Sequence, residues 1–571
     1  MELAITLVIE VLGWIPYVSA MMGFRPLLRT VPLRRLSLAL ILTVVTTGLG
    51  AQEASPTSIQ IHADGHDTGT PLKHFWSTTV GAGRANEGLR ASWQEQLHTA
   101  VSNNGFRYVR FHGLFHDDMF VYHENHGIPV YNFQYIDDLF DRMLENGARP
   151  FVELSFFPSD MAARKGSVGF WWGGNGSPPS DYSKWTELVR HFAQHCISRY
   201  GPEEVRSWYF EVWNEPDLDQ GFFTGTQTQY FELYKSTALT LKAVDPQLRV
   251  GGPATSNFHV PDEIWKKAEA EGTDPLALHW YPTWIEDFFF YCKKNSLPVD
   301  FISTHPYPMD MQYRGKTVHR SVNSTHDDLL LLRKMVDASP FPHAEIHLTE
   351  WSSSPSSRDH THDSLPAAAY VVKCNLDSIG LVASLSYWTF TDVFEEQGAG
   401  DTIFHGGFGM INYQGIPKPV FHGYRFLNAL GDELLDRSSG AIITRDHNSG
   451  RLTALAYNYP VEVPYSLPGT SSLAEADQIA AMGTAAQLSI ELSGLPPNAP
   501  VLIETLDKEH GNATRAWEEI GQPPMPTREQ TEALRNAAWG TAKELVHADA
   551  SGRLVFQRKL EAWSLVLIRQ L

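Results

Sequence analysis

The sequence predicts an α/β protein, a (β/α)8 TIM barrel with an appended C-terminal β-sandwich. Three observations predict it. From Phe75 onward, eight short β-rich runs each give way to a helical stretch, an alternation over about 350 residues that matches a barrel in length. Most of these runs are continuously apolar, as strands covered on both faces must be. After about Gly431 the alternation stops, and β-like runs separated by Gly, Pro, Asn and Asp follow, the texture of a sandwich.

Residues 1–52 read as a signal peptide or a misassigned N-terminal extension. Arg25, Arg29, Arg34 and Arg35 precede the apolar run 36–45 and the small residues Gly48, Gly50 and Ala51, a secretory pattern with cleavage near Ala51. The further apolar stretch 1–20, broken by Glu10, fits a start at Met21 or Met22 better than a membrane anchor. The Arg34-Arg35 pair permits a twin-arginine route. The expected localisation is therefore exported, periplasmic or extracellular. Within 53–74, residues 57–62 are expected to add a strand to the sandwich.

The barrel, 75–430, takes its strands from 75–83, 108–113, 149–158, 207–216, 249–255, 300–308, 345–353 and 384–392. Helical periodicity covers 89–104, 135–146, 185–199, 230–244, 327–337, 367–379 and 420–430. Between strands five and six, 257–297 is long, holds Trp265, Trp280 and Trp284, and reads as an insertion beside the barrel mouth. The sandwich, 431–571, draws strands from 441–444, 452–459, 486–492, 501–505 and 554–568. One helix, 528–538, interrupts it after a Pro-rich loop.

Composition narrows the function classes. Apolar content of 43% and charged content of 19% are those of a globular chain. The net charge of -20 argues against nucleic acid or an anionic membrane as partner, because counterion release needs a basic patch. A neutral ligand is the easiest to reconcile with it. Sixteen Trp and 12% aromatic residues suit sugar-stacking platforms, although most of these rings belong to the core. The three cysteines, Cys196, Cys292 and Cys374, fall in helix-like segments at no zinc spacing and read as buried thiols. There is no Gly-rich phosphate loop, Gly-x-Ser-x-Gly elbow or Walker motif, which argues against nucleotide and acyl chemistry. Neither cofactor nor metal is expected.

Two runs carry the chemistry. Ser207 to Pro216 is an apolar, β-favouring run that ends in Asn214-Glu215-Pro216, and Glu345 to Trp351 is a second one holding Glu350. A carboxylate at the end of a buried strand is costly unless paired or used. In a barrel, the C-terminal strand ends form the active face, where His112, Asn214, Glu215, His305, Tyr307, Glu350 and Trp388 gather. Glutamates on strands four and seven face each other across it. Glycoside hydrolysis needs such a pair, one protonated to donate to the leaving oxygen and one ionised to attack the anomeric carbon. The Asp359-His360-Thr361-His362-Asp363 cluster has metal-ligating residue types but reads as a solvated helix start. Glu395 and Glu396 are placed in the loop after strand eight, over the site.

The Trp213-Asn214-Glu215-Pro216 run with the strand-seven Glu350 is similar to retaining clan A glycoside hydrolases. Longer stretches resemble family 39 β-xylosidases. They are Tyr108 to Leu114 with Asp117-Asp118-Met119, Arg149 to Glu153, Tyr387 to Glu396, Phe404 to Gly409, and Gly511-Asn512-Ala513 with Trp517. The resemblance implies a retaining hydrolase that removes β-D-xylosyl units from xylo-oligosaccharides or xylosides by double displacement, in xylan degradation. It implies Glu215 as acid/base and Glu350 as nucleophile. Asn214 would donate to the sugar 2-hydroxyl, and His305 and Tyr307 would hold Glu350 ionised. His112 would contact the first-subsite sugar over a floor of Trp388, with Glu395 and Glu396 binding its hydroxyls.

Trp351 and Ser352 to Ser354 depart from the family pattern, and with the 257–297 insertion they put aglycone preference in doubt. An α-L-iduronidase-like, arabinosidase or endo-acting enzyme is the nearest rival reading, and a non-catalytic carbohydrate-binding protein the more distant one. The acidic strand-eight loop favours an uncharged sugar over a uronide. The expected partner is a xylose-containing glycoside, and the sequence is compatible with a homo-oligomer.

Overall fold

The computed structural model describes residues 57–164, 170–218, 221–272, 284–308, 311–313, 316–318, 320–393 and 396–571. Residues 1–56, on which the expected signal peptide falls, and Trp280 and Glu395 lie outside the described residues.

Eight parallel strands close into a barrel. In chain order they are Thr79–Arg84, Tyr108–His112, Arg149–Glu153, Tyr209–Glu211, Arg249–Thr255, Phe301–Thr304, Glu345–Trp351 and Ser384–Tyr387, and the pairing Tyr387 with Val80 closes the ring. Each overlaps a run that the sequence predicts. The period-two alternation of a strand sorts their side chains. Val109, Phe111, Val152, Phe210, Ile346 and Leu348 are buried in the shell between strands and helices. Inside the barrel, Phe151, Tyr209 and Phe301 pack together as an aromatic plug near the strand starts. One step further along, the same inward positions hold Arg110, Glu153 and Glu211, so the plug separates the charged layer from the far end of the barrel.

The expected helices are Ala91–Asn104, Gln134–Glu145, Tyr182–Tyr200, Gln227–Val244, Ser324–Ala338, Leu365–Asp377 and Pro419–Asn428. Cys196, Cys292 and Cys374 are buried free thiols on helices. Among the described residues, the segment between strands five and six contributes two helices, Asp262–Ala270 and Trp284–Lys294. Trp284 packs on Tyr230 and Phe231, with ring centroids 6.1 and 6.3 Å away, so it belongs to the barrel shell.

Two sheets form the sandwich. Strands Ser58–Asp64, Ala486–Ser493 and Leu554–Leu560 make one. The other has seven strands, Thr70–Pro71, Glu433–Ser438, Ala441–Arg445, Leu452–Tyr457, Leu565–Gln570, Pro500–Leu506 and Ala542–His547, in spatial order. Ile59, Ile61, Leu488 and Ile490 of the small sheet share a core with Ile443, Ala454, Ile503 and Ile568 of the large one. The N-terminal strand runs parallel to Ala486–Ser493 in full register from Ser58 opposite Gln487 to Asp64 opposite Ser493. The run read as one strand, 554–568, is two, because the chain turns at 561–564. On its other face the large sheet presents Ile442, Leu455, Leu565 and Leu567 to the barrel core. Helices Ala513–Glu519 and Arg528–Trp539 pack through Trp517, Leu534 and Ala538 on Ile403 and Phe404 of the chain after barrel strand eight.

The turn at 359–363 corrects the solvated reading. It is a helix start, a 3-10 turn His360–Asp363 in which the Thr361 amide donates to the Asp359 side chain at 2.9 Å. But Thr361, His362 and Asp363 are buried, because the 470 loop lies across them: Thr470 donates to Asp359 Oδ1 at 3.0 Å and accepts from the His360 amide at 2.8 Å.

Candidate active site

Arg110 organises the carboxylates at the barrel mouth. Its inward position on strand two brings three strands' carboxylates to one guanidinium. Nε donates to Glu211 Oε2 at 2.7 Å, Nη1 to Glu350 Oε1 at 2.5 Å, and Nη2 to Asn214 Oδ1 at 2.8 Å with Glu153 Oε2 at 2.9 Å. Burial alone would disfavour its charge, but Glu153, then Glu211 and Glu350, outweigh that and raise its pKa. The five-donor fork suits this task, which a lysine could not perform. Sequence reasoning missed Arg110 as a site residue, although it lies within the Tyr108 to Leu114 run. An arginine inside an otherwise apolar strand is the signal that could have found it, since so buried a charge requires partners.

Glu215 sits four residues past the end of strand four. The run predicted to stay extended to Pro216 leaves the sheet at Glu211, and Trp213 and Glu215 both take left-handed backbone, φ 78° and 38°. Such conformations are unfavourable for side chains with a Cβ and persist where packing over-determines them. Here the Trp213 ring is fully buried and stacks on Phe157 at 4.2 Å, and the Glu215 amide donates to the Ala254 carbonyl at 2.8 Å. Asn214 is pinned between them. Its Oδ1 faces the donor-only guanidinium, which fixes the amide so that Nδ2 is the group left to donate, with no partner among the described residues.

Glu350 is placed by an irregularity. Strand alternation puts Thr349 inward, and a register shift between Leu348 and Trp351 turns Glu350 inward as well. Trp351 then points outward, its ring 6.5 Å from Tyr370 and its Nε1 3.3 Å from Thr325 Oγ1. The departure at Trp351 therefore belongs to the barrel–helix packing. Ser352 and Ser354 bond within their own loop and to Asp359.

The structure brings Glu215, His305 and Glu350 together, with one ligand-capable atom of each within 4.8 Å of the others. It is the one such triad among the described residues, and the 359–363 cluster is not part of it. Arg110 already supplies a positive charge there. His305 corrects the expected partnership. Its Nδ1 lies 2.9 Å from Glu215 Oε1 but 4.0 Å from Glu350 Oε2, and its Nε2 lies 2.9 Å from Thr349 Oγ1. The histidine attends the strand-four carboxyl. Tyr307 does face Glu350, donating to Oε2 at 3.3 Å. His112 bridges, with Nδ1 2.8 Å from Glu153 Oε2 and Nε2 3.4 Å from Glu350 Oε1. Trp388 walls the mouth, its ring 4.8 Å from His112 and 5.9 Å from the Arg110 guanidinium carbon. Gly81 leaves it room, since a Cβ there would run into the indole.

The electrostatics separate the two glutamates. Burial raises Glu215 well above the ordinary carboxylate range, and the charges of Glu350 and Asp217 add to it. Burial also raises Glu350, contrary to the expectation that its neighbours hold it low. Arg110 and His112 pull it back only in part. The shared proton therefore settles first on Glu215, and the titration belongs to the pair. Burial lowers His305 well below its usual value, with Arg110 and His112 reinforcing the effect, so the ring is neutral. Half-buried Glu396 is pushed up to about 7 by desolvation, with the Glu350 charge acting on it, which places it at the same mouth. Buried Asp217, bonded by the Ser256 amide and hydroxyl, is pushed up to about 7 chiefly by burial.

The chain matches the glycosyl hydrolases family 39 over residues 59–555. It belongs to that family. Family 39 relatives include a β-xylosidase of Geobacillus stearothermophilus, 36% identical over 478 residues, which span 82% of this chain and 86% of that one. A human α-L-iduronidase is 24% identical, over 93% of this chain and 81% of its own. A crystal structure of a monomeric β-xylosidase from Caulobacter crescentus superposes with a TM-score of 0.77 at 32% identity, over 89% of this chain and 99% of that one.

Proposed function

We propose that this family 39 glycosidase is a retaining β-xylosidase that releases β-D-xylosyl units from xylo-oligosaccharides or xylosides. The observation that carries the retaining part is the approach of Glu215 and Glu350. Carboxyl groups of retaining enzymes stand roughly 5–5.5 Å apart, whereas inverting pairs leave roughly 6.5–9.5 Å for a water. Oxygens within 4.8 Å support the first arrangement.

In the first step Glu350 attacks the anomeric carbon while Glu215 gives its proton to the glycosidic oxygen as that bond breaks. In the second, water attacks the same carbon, the bond to Glu350 breaks, and the water's proton passes to Glu215. The Asn214 amide donates to the sugar 2-hydroxyl, Tyr307 and Arg110 orient Glu350, and His112, Trp388 and Glu396 shape the first subsite. Glu396 favours a neutral sugar over a uronide, which sets this reading above the iduronidase one. The greater similarity to the Geobacillus enzyme than to the human iduronidase points the same way. The Arg-flanked apolar run at 25–51 supports export, and the Caulobacter counterpart supports a monomer.

The test is a parallel assay of 4-nitrophenyl β-D-xyloside, 4-nitrophenyl α-L-arabinosides and a 4-methylumbelliferyl α-L-iduronide. The xyloside is expected to have a kcat/KM at least about tenfold above the others, a difference of about 1.4 kcal/mol in transition-state binding. Iduronide turnover without xyloside turnover would overturn the substrate assignment. Release from none of them would favour a binding protein.

A further inference from the structure

Behind the carboxyl pair runs a line of hydrogen bonds whose direction follows from which atoms can donate. Glu211 pairs with Arg110 Nε through Oε2 at 2.7 Å, and its Oε1 accepts the Thr349 hydroxyl at 2.8 Å. A hydroxyl has one hydrogen. With that hydrogen committed to Glu211, Thr349 Oγ1 can only accept from His305 Nε2, 2.9 Å away. His305 Nε2 therefore carries the ring's hydrogen, and in the neutral imidazole Nδ1 is bare. Bare Nδ1 lies 2.9 Å from Glu215 Oε1. Two lone pairs would meet there if Glu215 were ionised, and a hydrogen bond forms only when Glu215 holds the proton.

We infer that Thr349 and Glu211 are positioning residues that fix the His305 tautomer and thereby keep Glu215 in its acid form in the resting enzyme. This rests on the reading of Glu215 as the acid/base. The same arrangement serves the second step. Once Glu215 has protonated the leaving oxygen, its carboxylate faces a bare nitrogen and is favoured to retake a proton from the attacking water. The other charged and titratable groups acting on Glu215 are Glu350, Asp217, Arg110 and Glu396, with Tyr307 on Glu350. None of them bonds Thr349, so exchanging that hydroxyl leaves them in place.

The test compares Thr349→Val with Thr349→Ser. Valine removes the acceptor for Nε2–H, so the tautomer with hydrogen on Nδ1 becomes preferred and donates to an ionised Glu215. The alkaline limb of kcat/KM is then expected to fall by about one pH unit. The kcat for xylosides with poor leaving groups is expected to fall about tenfold, while 2,4-dinitrophenyl xyloside changes less than about twofold. Thr349→Ser keeps the hydroxyl and is expected to keep the wild-type profile. Nitrogen-15 spectra of the wild-type protein give an independent reading and are expected to show His305 protonated at Nε2. A Thr349→Val profile superimposable on wild type, an equal shift in Thr349→Ser, or His305 protonated at Nδ1 would each overturn the inference. Failure of the underlying assignment would look different, because Glu215→Ala would then cleave poor leaving groups at the wild-type rate.

Discussion

At the scale of single residues, Glu215 and Glu350 are equally hidden from water and differ in company. Arg110, with two N–H groups on other carboxylates, reaches Glu350, whereas neutral His305 reaches Glu215. With the proposed roles of acid/base for Glu215 and nucleophile for Glu350, that difference sets the pH response. Glu350 must be ionised to attack, so kcat/KM falls at low pH as it protonates. Glu215 must be protonated to donate, so kcat/KM falls at high pH as it ionises, and its raised pKa holds that limb toward neutral pH. Glu215→Ala is expected to slow xylosides with alkyl leaving groups by roughly 100-fold or more while sparing activated aryl ones. Azide should rescue the variant as the β-glycosyl azide, because it attacks the glycosyl-enzyme from the face that Glu350 does not occupy. Chromatography and proton NMR of the product check this, and an α-azide would contradict retention. Both glutamates were legible in the sequence as charges near the ends of apolar runs. Arg110's role was not, because its partners come from strands three, four and seven, and no local pattern records which chains converge. The partner of His305 was hidden for the same reason, since a one-dimensional reading cannot say which of two facing glutamates a histidine meets.

At the scale of elements, the β/α alternation exposed all eight barrel strands, and most of them are continuously apolar because burial on both faces leaves a mark in a strand's own residues. Strand ends were less legible. The exit at Glu211 and the shift before Trp351 depend on where Trp213 and Trp351 find cavities in neighbouring layers, which neighbours decide. The burial of Asp359 to Asp363 was likewise invisible, since the 470 loop that covers it belongs to the sandwich. That region also clamps the active face. Fully buried Lys418 Nζ lies 2.7 Å from Asp363 and 2.7 Å from Asp392, and donates to the Gly407 carbonyl at 2.8 Å. Asp392 in turn accepts the Gly409 amide at 2.6 Å, in the segment that follows Trp388. Lys418→Met leaves two buried carboxylates without their cation and is expected to cost about 3–5 kcal/mol. Urea denaturation measures it. A loss below about 0.5 kcal/mol would show that the clamp carries no stability.

At the scale of the whole molecule, the barrel supplies the site and the sandwich secures what surrounds it. The texture change near Gly431 announced the sandwich, and the run 57–62 was expected to add a strand to it, which Ser58–Asp64 does beside Ala486–Ser493. The helices Ala513–Glu519 and Arg528–Trp539 rest on the chain after strand eight, and Arg425 of the last barrel helix pairs with Glu504 of the large sheet at 2.8 Å. What the molecule holds in place through these contacts is the buried carboxyl pair, Glu215 and Glu350, to which the proposed function gives the roles of acid/base and nucleophile. The most direct test of that claim is to trap the glycosyl-enzyme with a 2-deoxy-2-fluoro-β-D-xyloside bearing an activated leaving group and to map the label by peptide mass spectrometry. One fluoroxylosyl group, attached to Glu350, is expected. A label on any other residue, or continued turnover of the inhibitor with no label at all, would contradict it.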